Sequence, residues 1–140
     1  MRALIDHGQQ LLDELELVVA DGGVILDWHT CEPFPERWVD LVVVLRCDHS
    51  KLWERLEKRY SQSFLTDIVV LCWLSSGYAL KKIQENNEAE IMQVVLEEAQ
   101  LSYAPEIVIE LSSETSEDLE SNVERILKWI TQWTRNQKAV

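Results

Sequence analysis

Residues 22–38 read GGVILDWHTCEPFPERW. The paired glycines suit a helix stop, because glycine takes the left-handed conformation that closes a helix C-terminus. Val24, Ile25 and Leu26 come next as an apolar run without alternation, which predicts a first strand over Val24–Asp27. An unbroken apolar strand belongs in a parallel sheet covered on both faces. Ligands of such sheets bind outside the carboxyl ends of the strands. Asp27 stands at that end. Its carboxylate is a candidate for organising Mg2+, a cation that prefers oxygen ligands and keeps most of its waters. Taken alone, an aspartate here also fits a turn cap. Pro33 and Pro35 forbid a regular helix between Cys31 and Arg37.

Working outward, Leu11, Leu12, Leu15, Val18 and Val19 share helical spacing and predict a helix over Gln9–Asp21. Leu41–Leu45 (LVVVL) predicts a second strand, rich in β-branched residues. Asp48 or Ser50 can cap a helix that runs to about Arg59, with Leu52, Trp53 and Leu56 inward. Arg55 and Arg59 lie one turn apart and project from one side. They either converge on an anion or serve as solvated partners of Glu54 and Glu57. A single long helix is expected over Lys81–Tyr103, with Met92, Val95, Leu96, Ala99 and Tyr103 inward, until Pro105 breaks it. Ile107–Leu111 predicts a third strand. Thr115 or Ser116 caps the last helix, and Leu119, Val123, Ile126, Leu127 and Ile130 are its expected inner face. Trp129 and Trp133 read as packing residues beside that stripe. Apolar strands alternating with helices indicate an α/β fold with a small parallel sheet and flanking helices.

The chain has 140 residues, enough for one domain with a real core, and residues 1–140 are read as one. Its net charge of −12 argues against direct nucleic-acid binding, which needs clustered Lys and Arg. The same charge suits a basic protein partner or a metal-complexed phosphate ligand. Cys31, Cys47 and Cys72 have unrelated spacings, which favours a reducing compartment over a disulfide framework. His29 and Cys31 offer two zinc ligands without a second pair at a usual spacing. No signal peptide is read at the N-terminus. The longest apolar stretch, Ile68–Leu74, is too short to span a bilayer, so no membrane partner is expected.

The segment GGVILDWHTCEPFPERW resembles one in the adenylate kinase isoenzyme 6 family, small nucleoside-monophosphate kinases also described as ribosome-assembly ATPases. The resemblance continues through VVVLRCDHSKLWERLEKR, GYALKKIQENNEAEIMQVVLEEA and LESNVERILKWITQW. The combination of D-x-H-x-C with F-P-E-R-W is its most specific part. It implies a P-loop NTPase fold of the nucleoside-monophosphate kinase kind, with ATP and Mg2+ as cofactors and AMP or another nucleoside monophosphate as substrate. It also implies a small-subunit ribosomal protein as partner, and a nuclear and cytoplasmic location. Asp27 matches the Walker B aspartate that helps hold Mg2+ through water. His29 matches a histidine tied to catalysis and to partner-coupled ATP hydrolysis. Arg59 matches a lid arginine that contacts nucleotide phosphates, a role its guanidinium suits.

Two departures stand out. No G-x-P-G-x-G-K-T occurs in these 140 residues. The family's phosphate-cradling loop, with its strand and a second strand, is expected to precede Met1, one of them lying between the strands that match Val24–Asp27 and Leu41–Leu45. Residues 60–76 also separate Arg59 from Gly77 and Tyr78, which are neighbours in the family. An apolar insert in a lid hinge has no evident chemistry. An unspliced intron or a misassigned exon is its expected origin, and Phe64–Leu74 is expected to find no packed place. The sequence leaves three readings open: a phosphoryl-transfer enzyme or ATPase, a non-catalytic acidic assembly factor that binds a basic ribosomal protein, or an inactive fragment.

Overall fold

A computed structural model describes residues 7–31, 33–62 and 78–137. In chain order they form α1 (His7–Val19), a 3-10 turn (Glu36–Trp38), β1 (Val42–Arg46), α2 (His49–Gln62), α3 (Tyr78–Ile91), α4 (Val94–Ser102), a second 3-10 turn (Pro105–Ile107), β2 (Val108–Ser112) and α5 (Ser116–Gln137). β1 and β2 pair in parallel, which a helical crossover between them permits. The fold is α/β. Residues 60–62 continue α2, and the predictions for Phe64–Leu74 fall outside the described residues. The residues cluster into two compact units, Met1–Val44 with Gln93–Ile109, and Leu45–Met92 with Glu110–Val140.

In the first unit, Leu12, Leu15 and Val19 form the half-buried line of α1. The helix ends as its glycines predict. The Gly22 N–H donates to the Val19 carbonyl at 2.9 Å, and Gly22 and Gly23 take φ of 73° and 70°. No atom crowds the place where a Cβ would stand at either glycine, so the requirement is conformational and not steric. The core of the unit joins Val44, Leu96 and Ala99, with Cys31, Val42 and Val108 packed against them.

In the second unit, α2 packs against α3. Ile83 and Leu111 are its buried apolar side chains, and Leu52, Trp53 and Leu56 are half-buried, as their spacing predicts. The start of α5 is a capping box. Thr115 Oγ1 accepts the Asp118 N–H at 3.1 Å. The Asp118 carboxylate accepts the N–H groups of Glu114 and Thr115, both at 3.0 Å. Those two bonds, Glu114 first, hold the Asp118 carboxyl below its ordinary range.

Three expectations need correction. Val24–Asp27 is not a strand: the segment is irregular and mostly exposed, with Ile25 85% exposed. A strand exists only where a neighbour takes its backbone hydrogen bonds, and the described sheet holds β1 and β2 alone. The long helix over Lys81–Tyr103 is two helices, α3 and α4, parted where Gln93 adopts a left-handed φ of 56°. The break turns Met92 and Val95 outward, while Leu96, Ala99 and Tyr103 stay buried. Of the expected inner face of α5, Leu119, Val123, Leu127 and Ile130 are also exposed, Leu119 at 59% and Leu127 at 57%, and Ile126 alone is half-buried. The helix is seated instead on Asn122, Ile126, Trp129 and Trp133, a line displaced around the axis by about a quarter turn. Asn122 anchors it, donating through Nδ2 to the Ser112 carbonyl at 2.6 Å.

Candidate functional site

Asp27 and His29 lie in the first unit, both exposed, in the segment between α1 and the first 3-10 turn. Just beyond them, Cys31 and residues 33–38 are firmly held. The Phe34 N–H closes a turn on the Cys31 carbonyl at 3.2 Å. Glu98 on α4 accepts the Cys31 N–H at 2.8 Å. The Tyr103 hydroxyl reaches the carbonyl oxygens of Cys31 and Phe34, at 2.8 and 3.0 Å. Glu36 accepts the Ala104 N–H at 3.0 Å. Pro35 and Glu36 carbonyls then close the 3-10 turn that carries Arg37 and Trp38. The prolines that forbid a helix here thus leave backbone groups that α4 and its C-terminal end satisfy.

Aromatic contacts extend this hold toward the candidate residues. The Trp28 ring meets Phe34 edge-on, with centroids 6.0 Å apart and planes at 76°. It lies 5.4 Å from the His29 ring at 33°. Arg37 pairs with Glu16 at 2.7 Å, an exposed ion pair of the sort that contributes at most about 1 kcal/mol. Burial, then the charge of Glu98, pushes the Cys31 thiol pKa up, so it stays protonated and unreactive at neutral pH.

Arg59 lies in the second unit, exposed in the last turn of α2, where the helix dipole favours a cation. The structure does not bring it into the unit that holds Asp27 and His29. Of the pair one turn apart, Arg55 has a structural task. Its guanidinium donates to the carbonyls of Ser113 and Glu114, both at 2.7 Å, so it neither converges on an anion nor merely pairs with Glu54 and Glu57.

A cleft opens beside the carboxyl ends of β1 and β2, lined by Arg46, Glu90, Glu110 and Glu114 among others. Arg46 donates from Nε to Glu90 at 2.6 Å and from Nη1 to Glu110 at 3.0 Å. Glu90 also accepts the Cys47 N–H at 3.3 Å. The bond to Glu90, chiefly, pushes the Arg46 pKa up. This position in the sheet is where a ligand is expected, yet its carboxylates repel phosphate and the Arg46 guanidinium is already engaged. The cleft is an ion-pair lock between α3 and the two strands.

Among the described residues, no group of three His, Cys, Asp or Glu side chains gathers to hold a metal. A nucleotide-borne Mg2+ asks for fewer protein ligands, one or two carboxylates beside waters and substrate phosphates. The exposed carboxylate of Asp27 suits that limited role. Tyr103, Glu98 and the Arg46–Glu90 pair escape sequence reading because their partners lie 43 to 72 residues away. The helical spacing of Tyr103 marks it as inward and says nothing of its hydroxyl.

Known proteins are similar to this chain. A family model described as an AAA domain matches residues 2–66. The chain is 54% identical over 127 residues to the adenylate kinase isoenzyme 6 homolog of Schizosaccharomyces pombe, covering 91% of this chain and 63% of that protein. It is 46% identical over 123 residues to the homolog of Caenorhabditis elegans, covering 88% and 56%. It is 34% identical over 127 residues to that of Drosophila melanogaster, covering 91% and 63%. The chain thus spans less than two thirds of the length of these curated relatives. Over nearly its whole length the chain is thus similar to proteins named adenylate kinase isoenzyme 6 homolog.

Proposed function

We propose that this chain supplies part of a nucleoside-monophosphate kinase, an enzyme that moves a phosphoryl group between ATP and AMP or a related monophosphate and also hydrolyses ATP. One observation carries the reading: Asp27 and His29 stand exposed immediately before a turn that α4 fixes through hydrogen bonds to Cys31 and Phe34. An exposed carboxylate on a held loop can orient the waters of a nucleotide-bound Mg2+. That ion, when present, neutralises charge on the β- and γ-phosphates. His29 presents an imidazole two residues on, suited to handling a proton or orienting a water at the phosphoryl group. Arg59 would meet phosphate oxygens with its guanidinium. The 140 residues contain no glycine-rich loop to cradle phosphates, so the nucleotide has to be held by residues from elsewhere.

The test uses this chain joined to the part of the S. pombe relative that it does not cover, with residues 60–76 removed. In that protein Asp27→Ala is expected to lower turnover about 10- to 100-fold, the range for groups acting on a metal through its second shell. His29→Gly and Arg59→Ala are expected to lower it as well, with the circular dichroism spectrum unchanged. A joined protein that turns over and is indifferent to all three substitutions would remove the site assignment.

The charge favours a second reading. A net −12 suits an assembly factor that holds a basic small-subunit ribosomal protein, in nucleus and cytoplasm, without catalysis. Salt-sensitive capture of such a protein by the chain alone supports that role; capture unaffected by salt speaks against it.

A further inference from the structure

We propose that Tyr103 is a positioning residue for His29, acting through Phe34 and Trp28; this rests on the functional reading above, which makes His29 the group worth positioning. Tyr103 stands just after α4 and is 4% exposed. Its hydroxyl lies 2.8 Å from the Cys31 carbonyl oxygen and 3.0 Å from that of Phe34. A phenol has one hydrogen to donate, so the two carbonyls share it. Burial first, then the Cys31 and Glu98 groups, pushes the phenol pKa up. The hydroxyl therefore stays protonated, and a donor, at any physiological pH. Five residues earlier, Glu98 accepts the Cys31 N–H at 2.8 Å. The end of α4 thus holds the Cys31 backbone at both its N–H and its carbonyl, and holds Phe34 at its carbonyl.

Phe34 passes this hold outward. Its ring takes the edge of Trp28 at 6.0 Å, and Trp28 lies 5.4 Å from His29. Trp28 is 48% exposed and His29 is exposed, so core packing does little to fix either ring. An edge-to-face aromatic contact is favourable but weak, enough to bias ring positions only while the Phe34 backbone stays in place. Among the described residues, the hydroxyl of Tyr103 is the side-chain group that bonds it there. A purely structural tyrosine would stabilise the loop without affecting the ring at position 29.

The experiment is two-dimensional NMR of the histidine ring protons in the full 140-residue chain. His29→Gln assigns the His29 signals against those of His7 and His49. The ring-current displacement of His29 is measured from its position in Trp28→Ala. Tyr103→Phe removes one oxygen and keeps the ring. It is expected to reduce the His29 displacement by about half or more, as the edge-on contact loosens. The His49 signals and the methyl signals of Leu96 and Ala99 are expected to hold their places. A His29 displacement unchanged in a folded Tyr103→Phe chain overturns the proposal. If Tyr103→Phe loses the folded methyl pattern, Phe34→Leu decides: it removes the relaying ring and keeps the carbonyl. The same reduction then supports the relay, and no change overturns it. None of these readouts involves phosphoryl transfer. A joined enzyme indifferent to His29→Gly would remove the functional reading and leave the ring result standing.

Discussion

Val24–Asp27 and Val42–Arg46 are the same kind of sequence, an unbroken apolar run ending in one charged residue, and they come to opposite ends. The second becomes β1, pairs with β2, buries Val44, and has its terminal Arg46 gripped by Glu90 and Glu110. The first stays irregular, leaves Ile25 85% exposed, and ends in an exposed Asp27. Composition does not separate them. The difference lies in whether another strand offers hydrogen bonds and another face offers cover. Strand formation is thus a property of a pair, and a lone apolar run reports only readiness for one.

The comparison can be broken hardest at the covered strand pair. Leu111 on β2 is 1% exposed, so Leu111→Ala is expected to destabilise the chain by about 2–5 kcal/mol in urea unfolding. A cost near zero would mean that the paired strands are no better packed than Val24–Asp27. Next comes the terminal charge. Arg46→Met leaves Glu90 and Glu110 without their shared partner, and is expected to cost about 1–3 kcal/mol, the range for a partly buried carboxylate left unpaired. Glu90→Gln is expected to cost less, since the amide still accepts the Cys47 N–H.

A smaller effect is expected from acid. The Asp118 carboxyl is held below its ordinary range by N–H bonds from Glu114 and Thr115. A depressed folded-state pKa contributes stability above the unfolded value, and that contribution is lost as pH falls through the folded value. The start of α5 should therefore loosen in acid, and Asp118→Asn should flatten that limb of the stability profile below about pH 4. An unchanged acid limb would show that the cap is not coupled to folding. The smallest effect belongs to the uncovered run: Ile25→Ser should change stability by no more than about 0.5 kcal/mol. In the joined protein, the same substitution should cost about 1.5–3 kcal/mol if Ile25 becomes a buried strand residue.

Local signals were the legible ones. Gly22 announces the end of α1, Thr115 and Asp118 announce the start of α5, and Pro105 announces the stop after α4, because each acts through its own backbone or that of near neighbours. Leu52, Trp53 and Leu56 were legible as well, their helix having one clear apolar side. The break at Gln93 was not, since neither Met92 nor Gln93 carries the marks of a helix end. The face of α5 was misread for a related reason: apolar periodicity finds the widest stripe, while Asn122 seats the helix by a bond to Ser112 that spacing cannot show. At the candidate site, Asp27, His29 and Arg59 were nameable by motif. The clamp of Glu98 and Tyr103 behind Asp27 and His29 was hidden, because it depends on which helix packs beside the loop.

We propose that Asp27 and His29 serve phosphoryl transfer on a nucleotide for which these 140 residues contain no glycine-rich cradle. The direct measurement is ADP formation from ATP and AMP in a coupled assay, by the 140-residue chain and by the same chain joined to the uncovered part of the S. pombe relative with residues 60–76 removed. Turnover by the joined protein, and none above background by the chain alone, is the predicted result. Turnover by the chain alone at the rate of the joined protein would contradict the account.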